Sequence, residues 1–432
     1  MLRYILAGGT LAFLLLLFSC RELPTREEAT LAEFPKEISA APKVRVLMKN
    51  DADEIRMEIK GRFHLTSSDG RTIPNRNVSL AEVVVKAARG GLAIGVIEFP
   101  SPAITVTPEI PGTMYIDGVR WPGEVTFRRT GTPLRFDVIN TLNIEEYLCG
   151  VLAAETPWRT WPSETLKAQA VASRTYAYHS TLVARRKGEP YDLFSDQNSQ
   201  IFTAGMVDQP IISRAVNATR GQILTYQGKI FPAYFSAVCG GATEDASKVF
   251  GDVKTAPLSG TNCPYCEHGG SKYDSWTVEI RTDEITNKLR AVVSQLLGKQ
   301  LGQVRMVEPA KTGVSSRVTT VRIVNALEPV ELNANTFRRA MGTSRLPSTF
   351  FTVQKAGAGV LRFSGKGWGH GVGMCQFGAA GMGRAGWTYV EILSWYYKGA
   401  RLSLLPYAAG EVSPGPLPAD DAAPARTGLQ VK

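Results

Sequence analysis

Residues 143–176 read NIEEYLCGVLAAETPWRTWPSETLKAQAVASRTY, and in this stretch the hydrophobic pattern changes period. Pro162 and Ser163 can open a helix, and Leu166, Ala170, Val171 and Ala177 recur at helical spacing within a run from Glu164 to about Arg186. Upstream, from Lys43 to about Leu142, the apolar residues alternate instead: Val44-Val46-Met48, Ile55-Met57-Ile59, Ile104-Val106 and Leu134-Phe136-Val138. Turn signals such as Ser68-Asp69-Gly70 and Asp117-Gly118 separate them, the pattern of antiparallel strands with few helices. Downstream, strands are predicted at 223–226, 230–234 and 319–324. Helices are predicted near 283–297, 336–341 and 387–397, the last after a glycine-rich turn. The two periods together predict an α+β fold.

The chain has 432 residues, and its 44% apolar and 20% charged content is that of a globular protein, which excludes disordered, collagen-like and polytopic membrane classes. The formal charge of +10 is spread along the chain without a Lys/Arg run or a nucleic-acid motif. It therefore points to an anionic wall, membrane surface or glycan and to no nucleic-acid partner. Residues 1–20, MLRYILAGGTLAFLLLLFSC, read as an export signal whose end resembles the bacterial lipoprotein cleavage box, making Cys20 the lipid-bearing residue. An ordinary cleaved signal or an uncleaved anchor are the alternatives. All place the protein outside the cytoplasm, and the first predicts a membrane-anchored lipoprotein facing periplasm or cell wall. Residues 21–41 read as a tether and 406–432 as a disordered tail.

Two segments carry chemistry. Glu155 ends an apolar run just before Pro157, Trp158 and Trp161, surroundings that desolvate a carboxylate and raise its pKa toward that of a working acid. Taken alone, a surface or helix N-terminal carboxylate is the simpler reading of this residue. Lys167 and Arg174, seven apart, share a helix face, and a solvated face accounts for them. Residues 365–382, GKGWGHGVGMCQFGAAGM, embed His370 among glycines that permit tight turns and close ligand approach, without the context of a phosphate loop.

The Glu155 segment, YFSAVCGGAT at 234–243, and GWGHGVGMCQFGAAGMGRAG followed by ILSWYYKG at 392–399 resemble, in order and spacing, the stage II sporulation protein D family, over roughly residues 130–405. The alternation above marks a β-rich N-terminal region at 42–130, and the resemblance implies a mixed α+β catalytic domain at 131–405 with a smaller inserted subdomain at 277–360. It implies a peptidoglycan lytic transglycosylase acting on glycan strands stripped of stem peptides, with Glu155 as catalytic acid. The family's Glu-Met-Pro reads Glu155-Thr156-Pro157 here, which leaves the acid and alters its positioning. Lys167, Gln169, Arg174, Tyr234 and His370 are the implied substrate-binding residues, and Trp158, Trp161 and Trp368 can stack on sugars, with buried aromatic packing the expected role of at least one of them. The alternative is a non-catalytic wall-binding enhancer of an amidase, so the expected partners are glycan strands, the membrane through the lipid, and a wall amidase.

Cys263-Pro264-Tyr265-Cys266 has the spacing with which two thiolates grip zinc. Cys239 and Cys375 sit in the two motifs expected to converge on the cleft, and some family members similarly bind zinc through cysteine and histidine. A structural zinc held by Cys239, Cys263, Cys266 and Cys375, with none required for catalysis, is the expectation. His268 is a substitute ligand, disulfides are the rival, and Cys149 reads as a buried free thiol.

Overall fold

Alternation in several strands between Lys43 and Arg129 buries every second side chain. Val44 and Val46, Ile55 and Met57, Ile104 and Val106, and Val125 and Phe127 are all within 1% of full burial. The computed structural model describes residues 31–35, 40–73, 79–251, 254–271 and 275–408. In it these strands form a six-stranded and a seven-stranded sheet, antiparallel but for one short parallel pairing of Leu193–Phe194 with the strand Lys43–Ala52. The strand Phe136–Asn143 lies inside the seven-stranded sheet between Lys43–Ala52 and Glu124–Arg129. Its residues Phe136 to Asn140 are buried on both faces, so the pattern there is continuous and not alternating.

That strand runs straight into helix α1 (Ile144–Glu155), capped by the Asn143 side chain accepting from the Glu145 amide at 2.8 Å. The long α2 (Ser163–Arg186) follows, then α3 (Pro210–Ala218) and the single turn α4 (Ala246–Val249). Next come α5 (Thr282–Leu297), α6 (Ala334–Met341), α7 (Gln376–Arg384) and α8 (Tyr389–Tyr396). Among the described residues, no helix is long and apolar enough to cross a membrane.

Two cores result. The larger is continuous from Ala32 to Leu405, so the β-rich region before residue 130 and the helical region after it share one interior. A boundary at 130 therefore does not separate two folding units, because Phe136–Asn143 is a full member of the upstream sheet. The second core, Ile280 to Phe363, packs α5 and α6 against two three-stranded antiparallel sheets and is threaded into the chain between 276 and 365.

Both ends of the described chain depart from the sequence reading. Within the expected tether, Ala32–Glu33 pairs with Lys229–Ile230, and Ala32 is 1% exposed because its small side chain fits that sheet edge. Within the expected tail, Pro406–Ala408 forms a 3₁₀ turn that buries Ala408 and brings the Tyr407 hydroxyl to Glu145. Residues 1–30, including the expected signal and Cys20, and the tail from 409 lie outside the described residues.

Candidate active site and thiol cluster

Helix α1 stops at Glu155 because Pro157 cannot continue it. Thr156 closes the end, its hydroxyl donating to the Leu152 carbonyl at 2.7 Å and its amide to the same oxygen at 3.1 Å. Threonine in place of methionine thus serves as a helix stop and leaves the acid's position to the backbone. Glu155 is half-buried on the wall of a cleft of about 730 Å³. Burial pushes its carboxyl above the ordinary value, and the Ile201 amide, donating to Oε1 at 2.8 Å, and the nearby Gln376 carboxamide offset this only in part. The C-terminal end of α1 acts in the same direction, since its partial negative charge disfavours a second one. The Ile201 loop is itself fixed by Gln200, which accepts from Tyr147 Oη at 3.1 Å and donates to the Ser173 carbonyl at 3.2 Å.

The opposite wall comes from the two glycine-bearing motifs. Phe235–Ser236 pairs in parallel with Met374–Cys375, and Val238 and Trp368 exchange backbone hydrogen bonds at 2.8 and 2.9 Å. Gly373 at φ +71° allows this approach: a Cβ there would stand 1.8 Å from the Tyr234 carbonyl oxygen. Tyr234, Phe250 and His370 form an aromatic cluster with centroid separations of 4.7, 5.1 and 6.1 Å, and all three line the cleft. The Val372 amide donates to His370 Nδ1 at 3.0 Å, which places the neutral ring's proton on Nε2. Two polar atoms on cleft residues are buried without a partner among the described residues: Ser236 Oγ and Asn335 Oδ1. Native proteins rarely leave such atoms unmatched, so the cleft is built for a polar occupant.

Of the expected substrate-binding residues, Tyr234 and His370 line this cleft, whereas Lys167, Gln169 and Arg174 do not. Lys167 Nζ pairs with Glu164 at 2.6 Å, and Gln169 is fully buried and donates to Ser173 Oγ at 3.0 Å. Arg174 is 0% exposed and makes a bidentate pair with buried Glu145 at 2.6 and 3.0 Å. The solvated face expected for it does not exist, because α2 packs against α1, α3, α7, α8 and the strand Gln222–Tyr226. Trp158 and Trp161 are also core residues, the latter edge-on to Phe377 at 5.4 Å, and only Trp368 reaches the cleft.

Burial alone would raise the Glu145 carboxyl. The Arg174 guanidinium, the Tyr407 hydroxyl and the Gly221 amide outweigh it and hold it below the usual range. Arg174→Leu therefore strands a buried carboxylate, and equilibrium unfolding should show a loss of about 3–5 kcal/mol. Because the folded pKa is lowered, the pair's contribution is complete above about pH 5 and is lost as pH falls through the folded value. A loss below 1 kcal/mol would contradict this reading.

Behind the glycine loop, Cys239, Cys263, Cys266 and Cys375 are buried and their Sγ atoms all lie within 4.8 Å of one another. Tetrahedral zinc with Zn–S near 2.3 Å requires sulfurs about 3.8 Å apart, so the set fits such an ion. None of the five described cysteines is in a disulfide. Cys375 Sγ accepts from the Cys239 and Gly378 amides at 3.2 and 3.3 Å, and Cys263 Sγ meets Tyr396 Oη at 3.0 Å. Hydrogen bonds from the neighbouring thiols, that of Cys239 first, hold Cys263 and Cys266 below the ordinary thiol value.

Arg317 from the insert is fully buried beside the cluster, donating from Nη2 to the Cys239 carbonyl while Nε and Nη1 have no hydrogen-bond partner among the described residues. Its loop is held by buried Glu244, which accepts from the Val314 and Ser315 amides and the Ser315 hydroxyl at 2.6–3.1 Å. A fixed cation beside four thiols suits an anionic metal–tetrathiolate group. His268 is exposed on a 3₁₀ turn and outside the cluster, which rules it out as a ligand in this conformation. Cys149 is buried elsewhere, near Ser213 Oγ at 3.9 Å, and burial pushes its thiol up to about 11.

The fold and paired motifs define the class, and comparison with known proteins agrees. The family model described as Stage II sporulation protein matches residues 134–226, and one for a domain of unknown function matches 264–373, which includes the insert. The chain belongs to the stage II sporulation protein D family. An uncharacterised protein of Brachyspira hyodysenteriae is 37% identical over 61% of this chain and 67% of its own length. The stage II sporulation protein D of Bacillus amyloliquefaciens is 29% identical over 61% and 75%. The amidase enhancer of Bacillus subtilis is 25% identical over 74% of this chain, which spans about half (49%) of that relative.

Proposed function

We propose that this protein is a cell-wall enzyme, a peptidoglycan lytic transglycosylase with Glu155 as its one acid/base. The observation that carries this reading is the Glu155 carboxyl, raised above its ordinary value by burial, on the wall of a cleft lined with aromatic rings and unmatched polar atoms. Asp196, the other carboxylate on the lining, is exposed and accepts from the Asn198 amide at 2.9 Å and its carboxamide at 3.2 Å, so it is not poised as the second member of a hydrolase pair. Glu155 protonates the oxygen between N-acetylmuramic acid and N-acetylglucosamine as the C1–O bond breaks. The resulting carboxylate takes the proton of the muramic C6 hydroxyl as its oxygen closes on C1, giving a 1,6-anhydro end without water. Tyr234, His370 and Trp368 offer hydrogen bonds and ring faces to the sugars.

The cysteine cluster would hold a structural zinc whose four protein ligands leave no open position, so its chemistry is to fasten the fold. The amidase enhancer relative supports a second reading, in which the chain binds wall glycan and stimulates an amidase. Incubating protein lacking residues 1–20 with denuded and intact glycan, with and without an amidase, separates the two by mass spectrometry. Anhydro ends support the enzyme. Extra amidase product without anhydro ends supports the enhancer.

Attachment is also proposed, through lipid on Cys20, which would set the site facing periplasm or wall. Cys20→Ser should leave the protein unprocessed or move it out of the membrane fraction. A variant processed and membrane-bound like the parent would remove the lipoprotein reading.

A further inference from the structure

Helix α6 of the insert presents two residues three positions apart, Asn335 and Arg338, to the same cleft as Glu155. Arg338 is 6% exposed. Its Nε donates to the carbonyls of Leu346 and Pro347, both at 3.0 Å, which fixes the guanidinium plane. Neither Nη atom has a partner among the described residues. A cation in the last turn of a helix has an ordinary explanation in the helix dipole, and the two carbonyls account for Nε. Neither accounts for two free donors on a buried guanidinium facing a cavity. Burial and the charges of Arg317 and Arg339 push this guanidinium down to about 9, still cationic at neutral pH. Its electrostatic surroundings thus lack a counter-charge. One turn earlier on the helix, Asn335 Oδ1 is buried and unmatched. At the cleft mouth Arg339 Nη2 donates to Asn198 Oδ1 at 2.7 Å, bringing the insert against the loop that holds Glu155.

A buried, unpaired guanidinium with its fork presented to a ligand cavity suits a carboxylate, which it takes by two parallel N–H···O bonds. On a wall glycan, N-acetylglucosamine carries no charge. The muramic residue carries a lactyl ether whose carboxyl is an anion when free and a neutral amide when a stem peptide is attached. Resting on the glycan reading of the cleft, we propose that Arg338 is its specificity-determining residue and binds the free lactyl carboxylate of a muramic sugar. The insert therefore reads whether the peptide has been removed, while the larger core supplies the acid.

Binding tests this without turnover. Calorimetry on the Glu155→Gln protein would use a muramic-containing tetrasaccharide with free lactyl groups, the same tetrasaccharide with those groups as methyl amides, its stem-peptide-bearing form, and chitotetraose. The free acid should bind at least about tenfold tighter than the other three, as a charge-assisted bidentate pair allows. In Arg338→Gln that preference should collapse while chitotetraose affinity stays within about twofold, and Arg338→Lys should restore part of it. Equal affinity for acid and amide overturns the proposal, as does tighter binding of the peptide-bearing form or a folded Arg338→Gln protein that keeps the preference. If Arg338→Gln does not fold, the ligand series on the protein with Arg338 intact decides alone. Binding of none of the ligands fells the glycan reading and the proposal together. A free-acid preference in a protein that makes no anhydro ends leaves the proposal standing and fells only the catalytic reading.

Discussion

Glu155→Gln protein should bind glycan and unfold like the parent yet release anhydro ends at least about 10²–10⁴-fold more slowly, the range expected for loss of a positioned general acid. Glutamine keeps the shape and can still accept from the Ile201 amide, so the substitution removes the transferable proton and little else. Two measurements are needed. Mass spectrometry of released saccharides gives the rate, and thermal unfolding shows that the fold is intact. The pH profile provides an independent check, because burial raises the Glu155 pKa and the acid must be protonated to act. Rate should therefore fall as pH rises through that raised value, and this limb should be missing in whatever residual activity the glutamine protein retains. A variant that cleaves like the parent would sink the mechanism.

The second large effect concerns the thiol cluster. Protein purified without added metal should contain about one zinc per chain, and Cys266→Ser should lose it. Stability should fall with it. A structural zinc contributes its binding free energy to folding, and a loss of a few kcal/mol in a folded unit this size lowers the melting temperature by roughly 5 °C. Chelator treatment of the unaltered protein should reproduce the shift, and zinc should reverse it. Cys149→Ser serves as the control, since that thiol lies outside the cluster. Metal-free protein with two disulfides by mass spectrometry would overturn the zinc site.

The β-rich start, α1 and α2 were legible because their apolar residues repeat at periods of two and 3.6 over long runs. The glycine stretch misled in one respect. Residues 365–382 read as turn, but α7 begins at Gln376 and contains three glycines. They are there for close packing, not for turning: a Cβ at Gly378 would lie 2.1 Å from Tyr396 Oη, and at Gly381 2.2 Å from the Tyr265 carbonyl oxygen. Arg174 misled for a different reason. Seven-residue spacing places two charges on one face without saying what covers that face, and here it is the neighbouring helices. The insert's share of the cleft, which includes Asn335 and Arg338, had no local signature, because only the tertiary fold brings α6 to the cleft that Glu155 lines. Cys239 and Cys375 were found through the motifs that carry them, and their distance in sequence from Cys263 gave no other clue.

The position of the four thiols along the chain has a topological consequence. Three precede the insert and the fourth follows it, with about 110 residues between Cys266 and Cys375. Drawn to a common point, they act as a clasp at the neck of the insert, so both strands of chain leave and re-enter the main body through one fixed gate. The entropic penalty for closing a loop grows only with the logarithm of its length. Beyond the clasp, and apart from the contacts that Arg317 and Arg339 make with the main body, the insert can therefore lengthen or shorten with little effect on the frame that carries Glu155. In this sense the length of the insert is interchangeable, and the frame that carries Glu155 is not.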